Sequence, residues 1–315
     1  MTEHPLEDRR VLLLTHTGRE AACEVAREVM AGLTGQGLRV RVPASEAADM
    51  GLEPGSAAPL VEVAADASRA GEGCELALVI GGDGTILRAA EIALPTGTPI
   101  LGVNLGHVGF LAEAEHDHVA ATLQAVVDRA YAVEDRMTLD VRVYQDGTLV
   151  RSTFALNEAS VEKAARERML EVVAEVDGRP LSRWGCDGVV CATPTGSTAY
   201  NFSAGGPVVW PDVDALLMVP ISAHALFARP LVVSPESVLA VEVLPGAQSA
   251  GVLWADGRRA IELPPGARIE VRRGPSPVRL ARLHEAPFTD RLVAKFGLPV
   301  EGWRGRAERL QRGER

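Results

Sequence analysis

Apolar and polar positions follow two different patterns along the chain, and the first pattern fills the part before Tyr131. Short apolar, β-branched runs there alternate with stretches in which apolar residues recur at helical spacing. The runs predict strands at 10–15, 38–42, 76–80 and 99–103. The helical spacing predicts helices over 21–33 and 85–93. Strands and helices in alternation predict a parallel, doubly wound α/β sheet.

After Tyr131 the pattern changes to alternating β-like segments joined by turn dipeptides. Three Asp-Gly pairs lie between such segments, and Asp-Gly in this position is a strong signal for a tight β-hairpin. The pairs are Asp146-Gly147, Asp177-Gly178 and Asp256-Gly257. The β-like segments are 139–144, 170–176, 189–192, 238–243, 252–255 and 269–272. We therefore predict a β-rich, β-sandwich-like second domain.

The two patterns also predict how the chain divides. A length of 315 residues exceeds the usual size of one hydrophobic core, so we expect two domains. We predict an α/β domain over 1–135 and a β-rich domain over 136–285. The last residues, 286–315, return to a charged, helix-compatible composition, and we expect them to pack back on the N-terminal domain.

Composition and charge narrow the possible classes of protein. Apolar residues make up 47% of the chain and charged residues 23%, which is the balance of a soluble globular protein. No apolar run approaches the roughly 20 residues that span a bilayer, and the start, MTEHPLEDRR, is unlike a signal peptide. We expect a cytoplasmic protein without a membrane partner. A formal charge of −10 argues against broad nucleic-acid binding, which needs a basic face.

The cysteines and histidines do not predict a metal site within the protein. The four cysteines form no C-x-x-C pair, so neither a zinc site nor a disulfide framework is indicated. His116-Asp117-His118 resembles a metal cluster superficially. Adjacent side chains diverge on a helix, however, and a periodic apolar run follows this trio. We therefore interpret it as the solvated first turn of a helix.

The stretch VIGGDGTILRAAE, residues 79–91, places one carboxylate among three glycines where a strand runs into a helix. Gly81, Gly82 and Gly84 allow a sharp turn with amides exposed to an anion, which is phosphate-binding geometry. The loop matches neither the Walker A motif nor G-x-G-x-x-G. Because a carboxylate repels a phosphate, Asp83 must be offset by a divalent cation or accept a proton from a hydroxyl. Asp83 as a plain turn residue or helix cap is the alternative.

Two further segments carry more polar groups than ordinary hairpins need. The segment CDGVVCATPTGSTAY at 186–200 leads into NFSAGGP at 201–207 and offers many uncharged donors to a polar ligand. The segment LNEA at 156–159 interrupts a β-like stretch with an amide and a carboxylate. Both segments favour a ligand-binding role for the second domain.

Five blocks of this sequence resemble, in order and spacing, the signature blocks of the NAD kinase family. They are GGDGTILRAAE (81–91), NLGHVGFLAE (104–113), NEAS (157–160), DGVVCATPTGSTAYNFSAGGPVV (187–209) and PISAHALFARPLVV (220–233). The resemblance covers roughly 11–296. A GGDG loop alone is a weak sign, because diacylglycerol-type lipid kinases and phosphofructokinases also carry it. Five blocks in the right order are highly specific.

The resemblance implies transfer of the terminal phosphoryl group of ATP, or of inorganic polyphosphate, to the 2′-hydroxyl of the adenosine ribose of NAD, which makes NADP. Asp83 then deprotonates that hydroxyl, and the phosphates lie near Gly81, Gly82, Gly84 and Thr85. Mg²⁺ or another divalent cation arrives with the donor. A homodimer or homotetramer is also implied, and hairpin-rich domains with exposed strand edges often pair between chains.

The resemblance further implies how NAD is bound. Asn157 reaches the adenine edge beside Glu158, and Asp187 approaches the nicotinamide half, often across a subunit boundary. The remaining residues implied to line the dinucleotide pocket are Thr195, Thr198, Ala199, Tyr200 and Ser203. Phe110 packs on the adenine side or is a plain core residue.

Three positions near these blocks have open alternatives. His224 and Arg229 contact phosphates, or Arg229 before Pro230 fixes a domain interface. Asp256 lies near the nucleotide, or it serves only its hairpin. Many family members have an arginine where this chain has Gly185, so a phosphate contact is missing or is supplied by Arg183.

Two other functions remain open at the level of sequence. A lipid kinase with a GGDGT loop usually carries an N-D-F-A-type block where this chain has TPTGSTAY. A catalytically inactive dinucleotide sensor is disfavoured by the presence of Asp83 together with Asn157 and Glu158.

Overall fold

The computed structural model describes residues 9–52, 60–105, 109–112, 114–115, 119–166, 168–246, 250–284 and 287–300. In its N-terminal part strands alternate with helices, as predicted. The strands are β1 (Arg10–Thr15), β2 (Arg39–Pro43), β3 (Val61–Ala64), β4 (Leu76–Ile80), β5 (Ile100–Asn104), β6 (Ala114–Glu115) and β7 (Ala132–Arg136). The helices are α1 (Glu20–Gly35), α2 (Ala44–Ala47), α3 (Asp83–Ala93) and α4 (Val119–Asp128).

The later part of the chain is dominated by strands. They are β8 (Leu139–Gln145), β9 (Thr148–Ala155), β10 (Glu158–Lys163), β11 (Leu170–Val176), β12 (Arg179–Cys186), β13 (Gly188–Ala192), β14 (Leu216–Ile221), β15 (Leu231–Val233), β16 (Leu239–Val243), β17 (Gly251–Ala255), β18 (Arg259–Leu263), β19 (Arg268–Arg273) and β20 (Val278–Arg282). Two α-helices follow, α5 (Tyr200–Ser203) and α6 (Phe288–Phe296), and three short 3₁₀ helices, Ala67–Arg69, Leu94–Thr96 and Thr195–Thr198, complete the described elements.

Eight of the described strands form one sheet, in the order β3-β2-β1-β4-β5-β20-β7, with β6 beside β5. All neighbours are parallel except β20 and β7. β1 and β4 read as continuous apolar runs because central parallel strands are buried on both faces. The predicted doubly wound α/β sheet is confirmed.

Four strands of this sheet, β3, β6, β7 and β20, were not among the predicted strands. β3 has only four residues, and its Glu62 pairs with Arg10 of β1 and Arg41 of β2. β20 falls within 136–285, yet it pairs with β5 and β7 of the first sheet. No strand was predicted at 278–282, and the chain returns to the N-terminal part before residue 286.

The twelve strands from β8 to β19 form two antiparallel sheets within the described residues. One has the order β15-β14-β13-β10-β17-β18, and the other has the order β12-β11-β16-β19-β8-β9. A single apolar cluster takes residues from both sheets, including Val141, Val161, Trp184 and Leu253, so the sheets pack face to face. The predicted β-sandwich-like domain is confirmed.

The three Asp-Gly pairs make the predicted hairpins. They join β8 to β9, β11 to β12 and β17 to β18. All six residues have positive φ values, between 50° and 76°, as a two-residue turn of this type requires.

Helix α6 follows β20 and packs on aromatic residues of both parts of the chain. The ring centroid of Phe296 lies 4.6 Å from that of Phe202, which belongs to the segment NFSAGGP at 201–207. Those of Phe288 and Phe110 are 5.7 Å apart. Arg291 donates a hydrogen bond to the backbone carbonyl of Phe110 at 3.0 Å. The helix therefore closes over the segment that contains Phe110.

Candidate active site

A crevice opens where the strand order of the first sheet reverses, between β1 and β4. In doubly wound sheets ligands bind outside the carboxyl ends of the strands at this point. A cavity of about 570 Å³ lies there, and we call it the first cavity. Its walls are formed by His16, Thr17, Gly18, Arg19, Gly82, Asp83, Gly84, Thr85, Arg88, Asn104, Gly109, Arg258 and Lys295. The loop after β1, together with Gly82 and the first turn of α3, thus supplies most of the wall.

Asp83 is the first residue of α3, and its carboxylate is held in place by a neighbouring segment. The backbone amides of Phe110 and Leu111 each donate a hydrogen bond to it, both at 3.1 Å. A Cβ atom at Gly109 would overlap the same carboxylate, so only glycine allows this close approach. The segment 109–111 therefore fixes the orientation of the acid that we predicted to be catalytic.

The glycines of the loop differ in what they offer a ligand. Gly82 and Gly84 line the first cavity. The carbonyl of Gly82 accepts the amides of Thr85 at 2.9 Å and Ile86 at 3.2 Å, so the amides that the start of α3 can offer an anion are those of Asp83 and Gly84. Gly81 is different, because its amide donates to the carbonyl of Val103 at 2.8 Å and is used to join β4 to β5. The expectation that all three glycines present amides to an anion is corrected for Gly81.

Basic side chains from separate elements surround Asp83 in the first cavity. Arg88 is fixed by the carboxylate of Glu46 at 2.8 Å and by the carbonyl of Thr15 at 2.7 Å. Arg258 pairs with Glu91 at 3.0 Å. Arg19 and Lys295 complete the basic residues of the wall, in which Asp83 is the single acid among the described residues. Sequence reasoning did not identify these residues, because no local motif links them.

A buried aspartate braces the Asn-Glu pair. Asp256 lies in the β17–β18 hairpin and is 5% exposed. Its carboxylate accepts the amides of Leu156 at 3.0 Å and Asn157 at 2.7 Å, and it pairs with Arg259 at 2.8 Å. The Asp256 amide in turn donates to the carbonyl of Glu158 at 2.9 Å. Asp256 is therefore both a hairpin residue and a positioning residue for 157–158.

The segment 193–198 is attached to residues 156–157, which Asp256 also holds. The hydroxyl of Thr193 donates to the carbonyl of Leu156 at 2.6 Å and accepts the amide of Gly196 at 3.0 Å. A Cβ atom at Gly196 would overlap the carbonyl of Asn157. The Asn-Glu pair and the short 3₁₀ helix Thr195–Thr198 thus form one rigid unit.

This unit borders two further cavities. The second cavity, about 560 Å³, has walls that include Phe110, Thr195, Thr198, Trp210 and Phe288. The third cavity, about 440 Å³, is formed by Glu158, Ser160, Glu162, Tyr200, Trp254 and Gly257. The structure therefore gathers Asp83, Phe110, Asn157, Glu158, Thr195, Thr198 and Tyr200 around one region. Ala199 belongs to the same segment, and its amide donates to the carbonyl of Gly196 at 2.9 Å.

The side chain of Glu158 is uncharged over much of the pH range. Burial raises its pKa to about 8, and the charge of Asp256 adds to the effect. The backbone amide of Tyr200 acts in the opposite direction. Below this pKa the side chain can donate as well as accept a hydrogen bond.

Other predicted residues lie on the surface of the sandwich, outside these three cavities. Asp187 pairs with Lys163 at 2.5 Å, and that ammonium lowers the pKa of the carboxyl. His224 is exposed, and its amide donates to the carbonyl of Gly185 at 2.9 Å. The remaining exposed positions are Ser203 and Arg229. Arg183, the suggested substitute for a missing arginine, pairs with Glu171 at 2.5 Å.

The described residues contain no cluster of three or more His, Cys, Asp or Glu side chains that could hold a metal ion. The trio His116-Asp117-His118 lies outside the described residues. The four cysteines are free thiols, and burial raises the pKa of Cys186 and of Cys191 to about 12. None of the described helices is long and apolar enough to cross a bilayer.

The site and fold together define a class of enzyme. An acid beside a helix N-terminus, facing basic side chains at the switch point of a doubly wound sheet, is the arrangement of a phosphotransferase. Comparison with known families agrees: the ATP-NAD kinase N-terminal domain matches residues 11–131, and the ATP-NAD kinase C-terminal domain matches residues 156–283. The chain belongs to the NAD kinase family.

Individual relatives extend this match over the whole length. The chain is 61% identical to an NAD kinase of Thermobifida fusca, over 97% of this chain and 94% of the relative. It is 63% identical to NAD kinase 2 of Streptomyces coelicolor, over 94% and 97% respectively. Its activity is therefore that of an NAD kinase, and the lipid-kinase alternative has no support.

Two solved structures share the fold. A yeast NADH kinase complexed with NADH superposes with a TM-score of 0.84 at 25% identity, covering 95% of this chain and 90% of the other. An NAD kinase from Archaeoglobus fulgidus in complex with ATP gives a TM-score of 0.67 at 26% identity, covering 92% and 100%.

Proposed function

We propose that Asp83 accepts the proton of the adenosine 2′-hydroxyl of NAD while the phosphoryl donor occupies the first cavity. The hydroxyl oxygen bonds to the terminal phosphorus, the bond from that phosphorus to its bridging oxygen breaks, and the nucleoside diphosphate leaves. The proton goes to the Asp83 carboxylate. The observation that carries this proposal is the carboxylate held by two amides at 3.1 Å inside a wall whose other charged side chains are basic.

ATP is the proposed donor, with inorganic polyphosphate as a second one. Four basic side chains and the first turn of α3 suit a ligand with several phosphates. The complex of the Archaeoglobus fulgidus enzyme with ATP supports the nucleotide donor. A chain of linked phosphates presents the same anionic oxygens, so a donor panel at fixed magnesium decides between the two.

A divalent cation, Mg²⁺ by proposal, accompanies the donor. The oxygen groups in the first cavity fit such a hard cation, because Asp83, Thr85 and Asn104 all line it. One carboxylate does not make a metal cage, so the phosphate oxygens of the donor hold most of the cation's coordination shell. When bound, the cation offsets the charge of the phosphates.

The proposed NAD site lies in the rigid unit around Asn157. The side-chain amide of Asn157 binds the adenine edge beside Glu158. The adenosine half lies near Phe110, Thr195 and Thr198 in the second cavity. The yeast NADH kinase complexed with NADH supports a dinucleotide site in this fold.

The nicotinamide half is proposed to bind at a contact between two copies of the chain, in a homodimer or homotetramer of a cytoplasmic enzyme. In one copy Ser203 and His224 are exposed, Asp187 is half-buried, and none of these residues lines any of the three cavities. Close to His224, the side chain of Leu226 is fully exposed and that of Phe227 is 44% exposed. Exposed apolar side chains beside a half-complete site support burial by a second copy.

The proposed role of Asp83 is tested by the Asp83→Asn variant. The asparagine keeps the size of the side chain but takes no proton, so NADP formation should fall by about 10² to 10⁴ in kcat. NAD affinity, measured by calorimetry, should stay within about twofold because the dinucleotide pocket is untouched. Near-normal turnover of Asp83→Asn would remove the base from the mechanism.

A further inference from the structure

Helix α6 contributes to the first cavity as well as to the second. Phe288 and Arg291 line the second cavity, and Lys295, one helical turn after Arg291, lines the first. We propose that Lys295 is a phosphate-binding residue for the donor, supplied by the C-terminal helix to the active site. This inference rests on the proposed position of the donor in the first cavity.

The packing of α6 fixes where Lys295 points. Residues four positions apart lie on the same face of a helix, so Arg291 and Lys295 face the active site together. Arg291 is anchored at 3.0 Å on the carbonyl of Phe110. Phe296, next to Lys295, packs on Phe202 at 4.6 Å and on Phe110 at 6.0 Å. These contacts hold the last turn of α6 beside the segment 109–111, which donates two hydrogen bonds to the carboxylate of Asp83.

The ammonium of Lys295 differs in shape and origin from the arginine side chains of the first cavity. Arg88 and Arg258 are already oriented by carboxylates, Glu46 at 2.8 Å and Glu91 at 3.0 Å. Lys295 comes from a different element and adds a compact charge with three donors, which suits phosphate oxygens. It is one of two lysines in a chain with 32 lysines and arginines.

Two groups in the wall of the first cavity therefore depend on α6, the carboxylate of Asp83 and the ammonium of Lys295. The backbone of Phe110 connects the helix to the acid, because its carbonyl accepts from Arg291 and its amide donates to Asp83. Lys295 lines the first cavity together with Asp83. The helix thus couples the orientation of the acid to the charge that faces the donor.

The first test compares Lys295→Met with Lys295→Arg in steady-state kinetics. A charged hydrogen bond is worth enough that its loss should raise KM for ATP about tenfold or more in the methionine variant. Lys295→Arg keeps the charge and should recover at least part of this loss. KM for NAD should change less than about twofold in both. Arg27→Met removes an exposed cation of α1, paired with Glu20 at 2.9 Å, and should leave KM for ATP unchanged.

The second test uses the unaltered protein, so it does not depend on how well a variant folds. Reductive methylation modifies lysines, and mass spectrometry separates the peptides that contain Lys163 and Lys295. ATP with Mg²⁺, at ten times its Kd and without NAD, should slow methylation of Lys295 by about tenfold. Methylation of Lys163, on the outer surface of the sandwich, should not change.

Equal methylation rates of Lys295 with and without ATP would overturn the inference, even if a variant loses activity. So would an unchanged KM for ATP in a well-folded Lys295→Met enzyme. Failure of the proposed function has a different signature, because Asp83→Asn would then retain turnover. The methylation result does not depend on that outcome.

Discussion

The carboxylate of Asp256 accepts the backbone amide of Asn157 at 2.7 Å, across a gap of about a hundred residues in sequence. The same carboxylate accepts the amide of Leu156 and pairs with Arg259. A hairpin residue of β17–β18 thereby sets the direction in which the Asn157 side chain leaves the backbone. Of the three Asp-Gly hairpins, this is the one whose aspartate is buried.

Replacing Asp256 by asparagine should damage both stability and NAD binding. The amide has one acceptor oxygen for two backbone donors and removes the nearer counter-charge of Arg259, which keeps only Glu91 at 3.8 Å, so the free energy of unfolding should fall by about 2–4 kcal/mol. KM for NAD should rise, because Asn157 is no longer braced. Denaturant unfolding and steady-state kinetics measure the two effects.

Asp146→Asn is the matched control, since Asp146 occupies the corresponding position of an exposed hairpin. It should change the free energy of unfolding by less than about 0.5 kcal/mol. If both variants behave alike, Asp256 serves only its turn.

A methyl group at position 109 should displace the carboxylate of Asp83. Gly109→Ala places a Cβ on the carboxylate of Asp83, and a shift of about 1 Å in a reacting group can cost about 10² in rate. We expect kcat to fall by at least about tenfold, with a smaller change in KM for NAD.

Gly35→Ala provides the comparison for this substitution. Gly35 ends α1, and a Cβ there meets nothing within 4 Å. Activity should stay at the level of the unaltered enzyme, and stability should rise by up to about 1 kcal/mol. Normal kcat in Gly109→Ala would show that the acid tolerates displacement.

The raised pKa of Glu158 predicts a pH dependence of stability. In the folded protein the pKa is about 8, against 4.5 for an ordinary glutamate. The folded state therefore holds a proton that the unfolded state has lost, and stability falls as pH rises from about 4.5 to 8. Glu158→Gln removes this titration, so its Tm relative to the unaltered protein should increase across that window.

Thermal unfolding at half-unit steps from pH 4 to pH 9 measures the difference. Below pH 4.5 both proteins carry a neutral side chain at position 158, and the difference in Tm should level off there. A difference that stays constant over the whole range would mean that Glu158 is ionised in the fold at neutral pH.

Removal of divalent cations should abolish NADP formation. The cation is proposed to be held chiefly by the donor, so EDTA should stop turnover while NAD binding, followed by calorimetry, stays within about twofold. Added Mg²⁺ should restore the rate. Full activity in excess EDTA would contradict the proposed role of the cation.

Much of the fold could be predicted from the sequence where burial leaves a simple pattern. β1 and β4 have the predicted bounds, because fully buried parallel strands are unbroken apolar runs. The Asp-Gly hairpins were predicted correctly because their φ values restrict the residue type. β3 was missed because four residues with an ion-paired Glu62 give no such pattern.

The candidate site could be predicted only in part, for a related reason. The loop that holds Asp83 is local, so its glycines identified it. Arg88, Arg258 and Lys295 come from three distant elements that meet only when both domains are folded. The brace from Asp256 to Asn157 is likewise a tertiary contact, and its sequence signal was an ordinary hairpin.

The position of β20 has a consequence for the order in which the molecule assembles during synthesis. β20 lies between β5 and β7, so the first sheet keeps an open slot until residues 278–282 have left the ribosome. By then every strand of the sandwich, through Arg273, has already emerged. The half of the molecule that is translated first is the half whose sheet closes last, and until then the edge of β7 and the start of β5, which β6 does not cover, are exposed to pairing with other chains.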